Sequence, residues 1–341
     1  MATKANSPHD GIFKSAFERP ELARSELALI LPQAVRAHLD LDTLHVRPGS
    51  FRDEDLNQSH SDLLYGVRTT TGEEALVFVL FEHQSEPDPL NMPLRLLRYM
   101  ARIWERWQIE HPRAKLPIIL PVVLHHHAAG WRTEPDFANL LDASPALLEA
   151  ARPYLPLFRF VLDDLGPLSA EAIAARPLHE LARLVLLALW SSRSLRRLEE
   201  AAPLVAAIIA KLARDESVRA LLRQLYSYWL RTGPADVDAR AIQAILLEVA
   251  GPQGQEDVVN AAEQLMAEGE QRGLARGRVE GRVEGLRDAI VAALSTRAIP
   301  LSEVGRARLA ACGDVATLTR WLTLAVTASS EGDVFGGSEA P

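Results

Sequence analysis

Residues 75–81 read Ala-Leu-Val-Phe-Val-Leu-Phe, an apolar run that closes on an acid, Glu82, and an amide, Gln84. Side chains alternate faces along a strand, so a run that is apolar at every position requires burial on both faces. This predicts a central strand with a layer on each side. Glu82 and Gln84 are two residues apart and share one face. Upstream, Asp62 is a lone acid entering a second apolar segment, and Thr70-Thr71-Gly72-Glu73 separates the two. Gly72 suits a turn that needs a positive φ. A hairpin symmetric about Gly72 sets Asp62 opposite Glu82, each ten residues from the turn. Facing residues have Cβ atoms about 4.5–5.5 Å apart. Two carboxylates that close repel unless a proton or a cation sits between them. Hard oxygen donors with no cysteine nearby favour Mg²⁺, with Mn²⁺ or Ca²⁺ as alternatives, over zinc. The same pattern also fits two acids that merely end their strands in water.

The remainder of the chain limits the other classes. Its 341 residues and 48% apolar content suffice for two or three domains with real cores. A net charge of −8 rules out whole-molecule attraction to nucleic acid, so any such binding uses a local patch. A single cysteine, Cys312, excludes internal disulfides and cysteine-based zinc sites. The first residues lack an apolar signal core. The longest apolar run, Leu184 to Trp190, is far too short to span a bilayer. The expectation is a soluble, cytoplasmic protein with no membrane partner.

The order of patterns is helix, strands, helix, strand, which indicates an α/β fold with a sheet flanked by helices over residues 1–165. Residues 9–40 read as helical, with Pro20 in a first turn and a break at Pro32. Phe51 is a candidate for a first strand, residues 94–111 form a strong helix, and 117–125 form another buried strand. Residues 166–250 read as an all-α region with helices at 169–191, 194–213, 215–231 and 236–250. Residues 251–285 combine a Gly/Pro/Gln linker with Gly269, Gly273, Gly277, Gly281 and Gly285 at every fourth position. Two short helices are expected in 286–327, and a disordered tail in 328–341.

Several motifs carry chemistry. Arg95, Arg98, Arg102 and Arg106 share one face of the helix that follows the acidic strand, a stripe that can clamp phosphates or simply face water. His125-His126-His127 cannot readily converge on one ion, because adjacent strand residues point to opposite faces; a strand-exit loop is the expectation. In His9-Asp10-x-x-Phe13-Lys14, Asp10 reads as a helix N-cap, and Lys14 as a surface lysine able to reach a phosphate. The glycine series is interleaved with charge, so membrane insertion is excluded; it reads as a flexible repeat or a marginal helix that orders on self-association. No nucleophile elbow, P-loop or dinucleotide fingerprint is present.

These residues together resemble the Rpn family of recombination-promoting nucleases, the YhgA-like transposase group, in the PD-(D/E)XK nuclease superfamily. The resemblance runs through Pro8-His9-Asp10-x-x-Phe13-Lys14, Leu44-x-x-x-Pro48-Gly49-Ser50-Phe51, His60-Ser61-Asp62-Leu63-Leu64-Tyr65 and Phe81-Glu82-His83-Gln84-Ser85. It continues in Arg95-x-x-Arg98-Tyr99, Pro121-Val122-Val123-Leu124, His126, Trp131, Pro153-Tyr154 and Leu162-Asp163-Asp164-Leu165, covering residues 8–165. It implies a restriction-endonuclease-like nuclease domain with a central mixed sheet, and Mg²⁺-dependent hydrolysis of DNA phosphodiester bonds, linked to recombination or transposition. Asp62 and Glu82 would hold the metal with the backbone carbonyl of His83, and Gln84 would assist catalysis. Lys14, Arg95, Arg98 and Arg102 would contact the nucleic acid. The superfamily pattern has a lysine where this chain has Gln84. An amide can orient water or phosphate but cannot act as a cationic acid. Two other readings follow: an inactive DNA-binding or assembly protein that keeps the fold, and a nuclease acting on RNA.

Overall fold

The computed structural model describes residues 8–47, 63–82, 91–212, 215–234 and 237–336. They form two compact units, Met1–Ala262 and Glu263–Pro341. The first is built on a five-stranded sheet in the order β1 (Leu39–Val46), β2 (Leu63–Thr69), β3 (Glu74–Glu82), β4 (Ile118–His125) and β5 (Val161–Asp164). The first three strands are antiparallel to one another, and β3, β4 and β5 are parallel. The sheet is therefore mixed, as the family resemblance implies. The connection from β3 to β4 is α4 (Met92–Glu110), whose Leu96, Tyr99, Ile103 and Trp107 recur at helical spacing and are buried.

Alternation along the strands makes two cores. Tyr65, Val67, Val77, Val122 and Leu124 face one side and pack with α1 (Pro8–Phe17), α2 (Pro20–Ile30) and the long helices α7 (Glu180–Ser191), α8 (Leu195–Leu212) and α9 (Glu216–Thr232). Leu64, Leu76, Phe78, Ile119 and Val123 face the other side, under α4. A buried ion cluster ties the first layer together. Arg176, just past α6 (Ala170–Ala174), donates to both carboxylate oxygens of Asp163 at 2.7 and 2.8 Å and to Glu26 of α2 at 3.1 Å. Burial, and then the Asp163 carboxylate, push the Glu26 carboxyl well above its ordinary range, against the pull of Arg176.

Several expectations are corrected. The first described strand is β1 at 39–46, while Phe51 lies outside the described residues. The segment 169–191 is two helices, not one, broken at residues 175–179. The Gly/Pro/Gln linker that opens residues 251–285 is replaced by helix, and the glycine repeat after it takes the helical one of its two readings; residues 251–285 are thus helical apart from Gly251. They lie in α10 (Ala239–Thr296), whose backbone leaves helical geometry at Gly251 (φ 61°) and resumes at Pro252, a residue suited to a first turn. Nothing lies within contact range of a Cβ at any of the five repeat glycines, so water surrounds them. In the second unit, Val283, Ile290 and Leu294 of α10 pack with α11 (Glu303–Ala311), α12 (Val315–Thr327) and α13 (Glu331–Phe335). Helix α13 falls in the segment expected to be disordered. Val334 and Phe335 are buried there, with Phe335 edge-on to Trp321, and this apolar burial outweighs the polar composition around them. No helix among the described residues is long and apolar enough to cross a membrane.

Candidate functional site

Three parallel strands finish at one edge of the sheet, and their last residues are in register. Glu82 of β3 pairs with His125 of β4, and His125 pairs with Asp164 of β5. Strand β2 runs the opposite way, and its first residue, Leu63, follows Asp62 in sequence and pairs with Val79, three residues before Glu82. The carboxyl ends of parallel strands in open α/β sheets are the usual place for a ligand, because the flanking connections leave a crevice there.

The hairpin register differs from the symmetric expectation. Leu63 faces Val79 rather than Phe81, a shift of two residues. The turn explains it. The Gly72 N–H donates to the Thr69 carbonyl at 3.0 Å, and the Thr69 N–H donates to the Glu73 carbonyl at 2.8 Å. Gly72 (φ 98°) is therefore the last residue of a three-residue loop, not its centre. Because the shift is even, every residue keeps its face. Asp62, His83 and Gln84 lie outside the described residues, and Glu82 is described through its backbone alone.

Beside Glu82 stands a pair that sequence reading did not join. His125 Nδ1 lies 2.8 Å from Asp164 Oδ1. Asp164 also accepts the backbone N–H groups of Gly166 at 3.0 Å and Trp131 at 2.6 Å. Burial alone would raise the Asp164 carboxyl, but these three donors hold it below its ordinary value. Trp131 meets the His125 ring edge-on, centroids 5.4 Å apart. Gly130 (φ 69°) and Gly166 let their loops close around the carboxylate: a Cβ on Gly166 would strike the backbone carbonyl of His127. His125 is 1% exposed, and its Nε2 has no hydrogen-bond partner among the described residues.

The next histidine serves the other face of the sheet. His126 Nδ1 lies 3.0 Å from the Leu189 carbonyl, and its ring centroid is 5.1 Å from that of His9. His9 Nδ1 is 2.7 Å from the Tyr228 hydroxyl. This buried group joins α1, α7 and α9 to the end of β4. The three histidines thus diverge, although His125 still belongs to the strand. Asp10 does not cap α1: it sits inside the first turn and is buried.

The basic residues fall into separate places. Lys14 is about half exposed and pairs loosely with Glu18 at 3.7 Å. The far end of helix α4 lies at the start of β4, where Trp104 donates to the Pro117 carbonyl at 2.8 Å and Trp107 to the Lys115 carbonyl at 3.1 Å, so Arg95 and Arg98 lie toward the opposite end of the sheet. Arg106 is about 16 Å further along by helical rise. Arg95 and Arg102 are half-buried and Arg98 is exposed; the Arg95 guanidinium lies 5.9 Å from the centre of the Tyr99 ring. Arg106 binds Glu110 at 2.7 Å and lines a cavity of about 350 Å³ with His45, Arg47 and Trp107. Among the described residues no group of three or more His, Cys, Asp or Glu side chains is arranged to hold a metal ion.

The chain matches the family model "Putative transposase, YhgA-like" over residues 7–218. It is 31% identical over 272 residues to recombination-promoting nuclease RpnD of Escherichia coli O157:H7, an overlap of 76% of this chain and 94% of that one. It is 30% identical over 268 residues to a protein of Escherichia coli K12 named inactive recombination-promoting nuclease-like protein RpnE, covering 79% and 84% of the two chains. Recombination-promoting nuclease RpnA of the same strain is 27% identical over 280 residues, covering 79% and 86%. No solved structure gives a significant match.

Proposed function

We infer, from the premise that this chain belongs to the YhgA-like transposase family, that it is a metal-dependent DNA endonuclease acting in recombination. The observation that carries this reading is the shared edge of the sheet. Glu82 ends β3 there, His125 and Asp164 stand beside it in register, and β2 starts three residues short of it at Leu63, opposite Val79. The relatives' names supply the reaction class, and the acids supply the chemistry.

In this reading Asp62, Glu82 and the His83 carbonyl hold Mg²⁺, for which hard oxygen donors are the right chemistry. When bound, the ion polarises the scissile phosphate and makes its water more acidic. Gln84 orients water or a phosphate oxygen by hydrogen bonding. Arg95 and Arg98, at the near end of α4, hold the flanking backbone phosphates, and Arg102 extends the contact. A second reading has specific support: a relative 30% identical to this chain is named inactive, and Gln84 replaces the cationic residue of the superfamily pattern. In it the protein binds DNA and cuts nothing.

The test is incubation of the full chain with supercoiled plasmid and with RNA of matched length, in Mg²⁺ or EDTA. Nicking of DNA in Mg²⁺ alone is expected, with Asp62→Ala and Glu82→Ala each lowering it at least about 100-fold while the fold persists. Binding without cutting in Mg²⁺, Mn²⁺ or Ca²⁺ establishes the inactive reading. Preferential cutting of RNA replaces the substrate. Full activity in both variants rejects the site.

A further inference from the structure

We propose that His125 is a nitrogen ligand of the metal ion bound beside Glu82, held in its ligating tautomer by Asp164. This rests on the metal-dependent reading above and adds a donor to it. The first argument is position. Neighbouring strands lie about 4.8 Å apart, so two residues at one register position of adjacent strands are close enough to share one ion. Glu82 and His125 occupy such a position at the carboxyl end of parallel strands.

The second argument is the state of the ring. Asp164 accepts backbone N–H groups from Trp131 and Gly166, so its oxygens act as acceptors. The hydrogen between Asp164 and His125 therefore belongs to Nδ1, which leaves Nε2 as the ring nitrogen a metal would take. A carboxylate on one imidazole nitrogen with a metal on the other is a recurring way to fix ligand orientation and raise basicity.

The third argument is the cost of leaving Nε2 unused. An unpartnered buried polar atom requires an explanation, and His125 is 1% exposed with Nε2 unpartnered among the described residues. Protonating Nε2 would not help, because the N–H would equally lack an acceptor. Packing explains the ring's fixed position through Trp131, but an apolar side chain would pack as well. An imidazole fixed by a carboxylate on one nitrogen, with the other unpartnered among the described residues, is the arrangement a divalent ion takes. Imidazole nitrogen suits transition ions better than Mg²⁺ or Ca²⁺, so of these two and Mn²⁺ it is Mn²⁺ that is expected to gain most from it.

The experiment is Mn²⁺ binding by the full chain, read by calorimetry and by pulsed electron paramagnetic resonance with ¹⁵N-labelled histidine. Directly bound nitrogen is expected in the wild type. In His125→Gln the coupling disappears and Mn²⁺ affinity falls at least tenfold, with Ca²⁺ affinity changing less. Asp164→Asn is expected to weaken Mn²⁺ by about 10-fold to 100-fold, the usual effect of removing such a partner. Mn²⁺ bound without nitrogen coupling, or His125→Gln binding Mn²⁺ within twofold of wild type, overturns the proposal. If His125→Gln fails to fold, His83→Gln decides: persistence of the coupling supports His125, and its loss assigns the nitrogen elsewhere. Glu82→Gln separates the two levels. If it weakens Mn²⁺ while His125→Gln does not, only the added ligand fails. If the wild type binds no divalent ion, the metal-dependent reading fails with it.

Discussion

Replacing Arg176 with methionine tests the buried ion cluster that fastens α2 to the end of β5. The arginine makes contacts at 2.7, 2.8 and 3.1 Å with Asp163 and Glu26, and the side chains of all three residues are at most 13% exposed. Its removal leaves two carboxyls facing each other away from water. Breaking a buried pair by removing one partner costs roughly 3–5 kcal/mol. For a unit of this size that corresponds to a melting temperature lowered by roughly 6–20 °C. The cost depends on pH with a definite sign. Burial and Asp163 already raise the Glu26 carboxyl, and losing the cation, which opposes them, raises it further. An acid whose folded pKa lies above its unfolded value adds stability below the unfolded value and loses it as pH rises through the folded one. The deficit of Arg176→Met is therefore smaller at pH 4.5 than at pH 7.5, by up to about 1.4 kcal/mol per proton per pH unit in the affected window. Calorimetric melting of the full chain at the two pH values reads it. A deficit under about 1 kcal/mol at pH 7.5, or one that grows in acid, refutes the reasoning.

Three other substitutions probe different parts of the molecule. Gly166→Ala sets a methyl group against the His127 carbonyl and the Gly130 backbone and should cost about 1–3 kcal/mol; a melting temperature equal to wild type would mean the loop around Asp164 relaxes freely. Gly277→Ala, in open solvent on α10, should stabilise the second unit by about 0.8–1 kcal/mol, and an unchanged or lowered thermal transition by circular dichroism would deny helix there. Tyr65→Phe removes a buried 2.7 Å hydrogen bond to the Phe17 carbonyl and should cost about 1–2 kcal/mol in urea unfolding; no loss would show that the carbonyl finds another donor.

Where the chain's own patterns were sufficient, they were local. The uninterrupted apolar run of β3, the Arg and Leu stripes of α4 and the Pro-Ile-Ile-Leu-Pro-Val-Val-Leu run of β4 each reveal an element, because burial on two faces or one imprints a period on neighbouring residues. Strand β1 escaped notice because its residues are mostly half-buried or exposed, leaving no apolar run to read. Helix α13 escaped because two apolar residues in a polar tail carry too little periodicity, although they complete a core.

The sequence by itself determined a central sheet, its two covered faces, and the acid and amide that close its apolar strand, since these follow from side-chain alternation over a few positions. Tertiary structure decided what stands next to what. The hairpin register was set by a loop whose glycine sits last rather than centrally. The His125–Asp164 pair joins residues 39 apart, and the Glu26–Arg176 contact joins residues 150 apart. Such pairings depend on strand order and on the layers packed across the sheet, and no window of neighbouring residues contains that information.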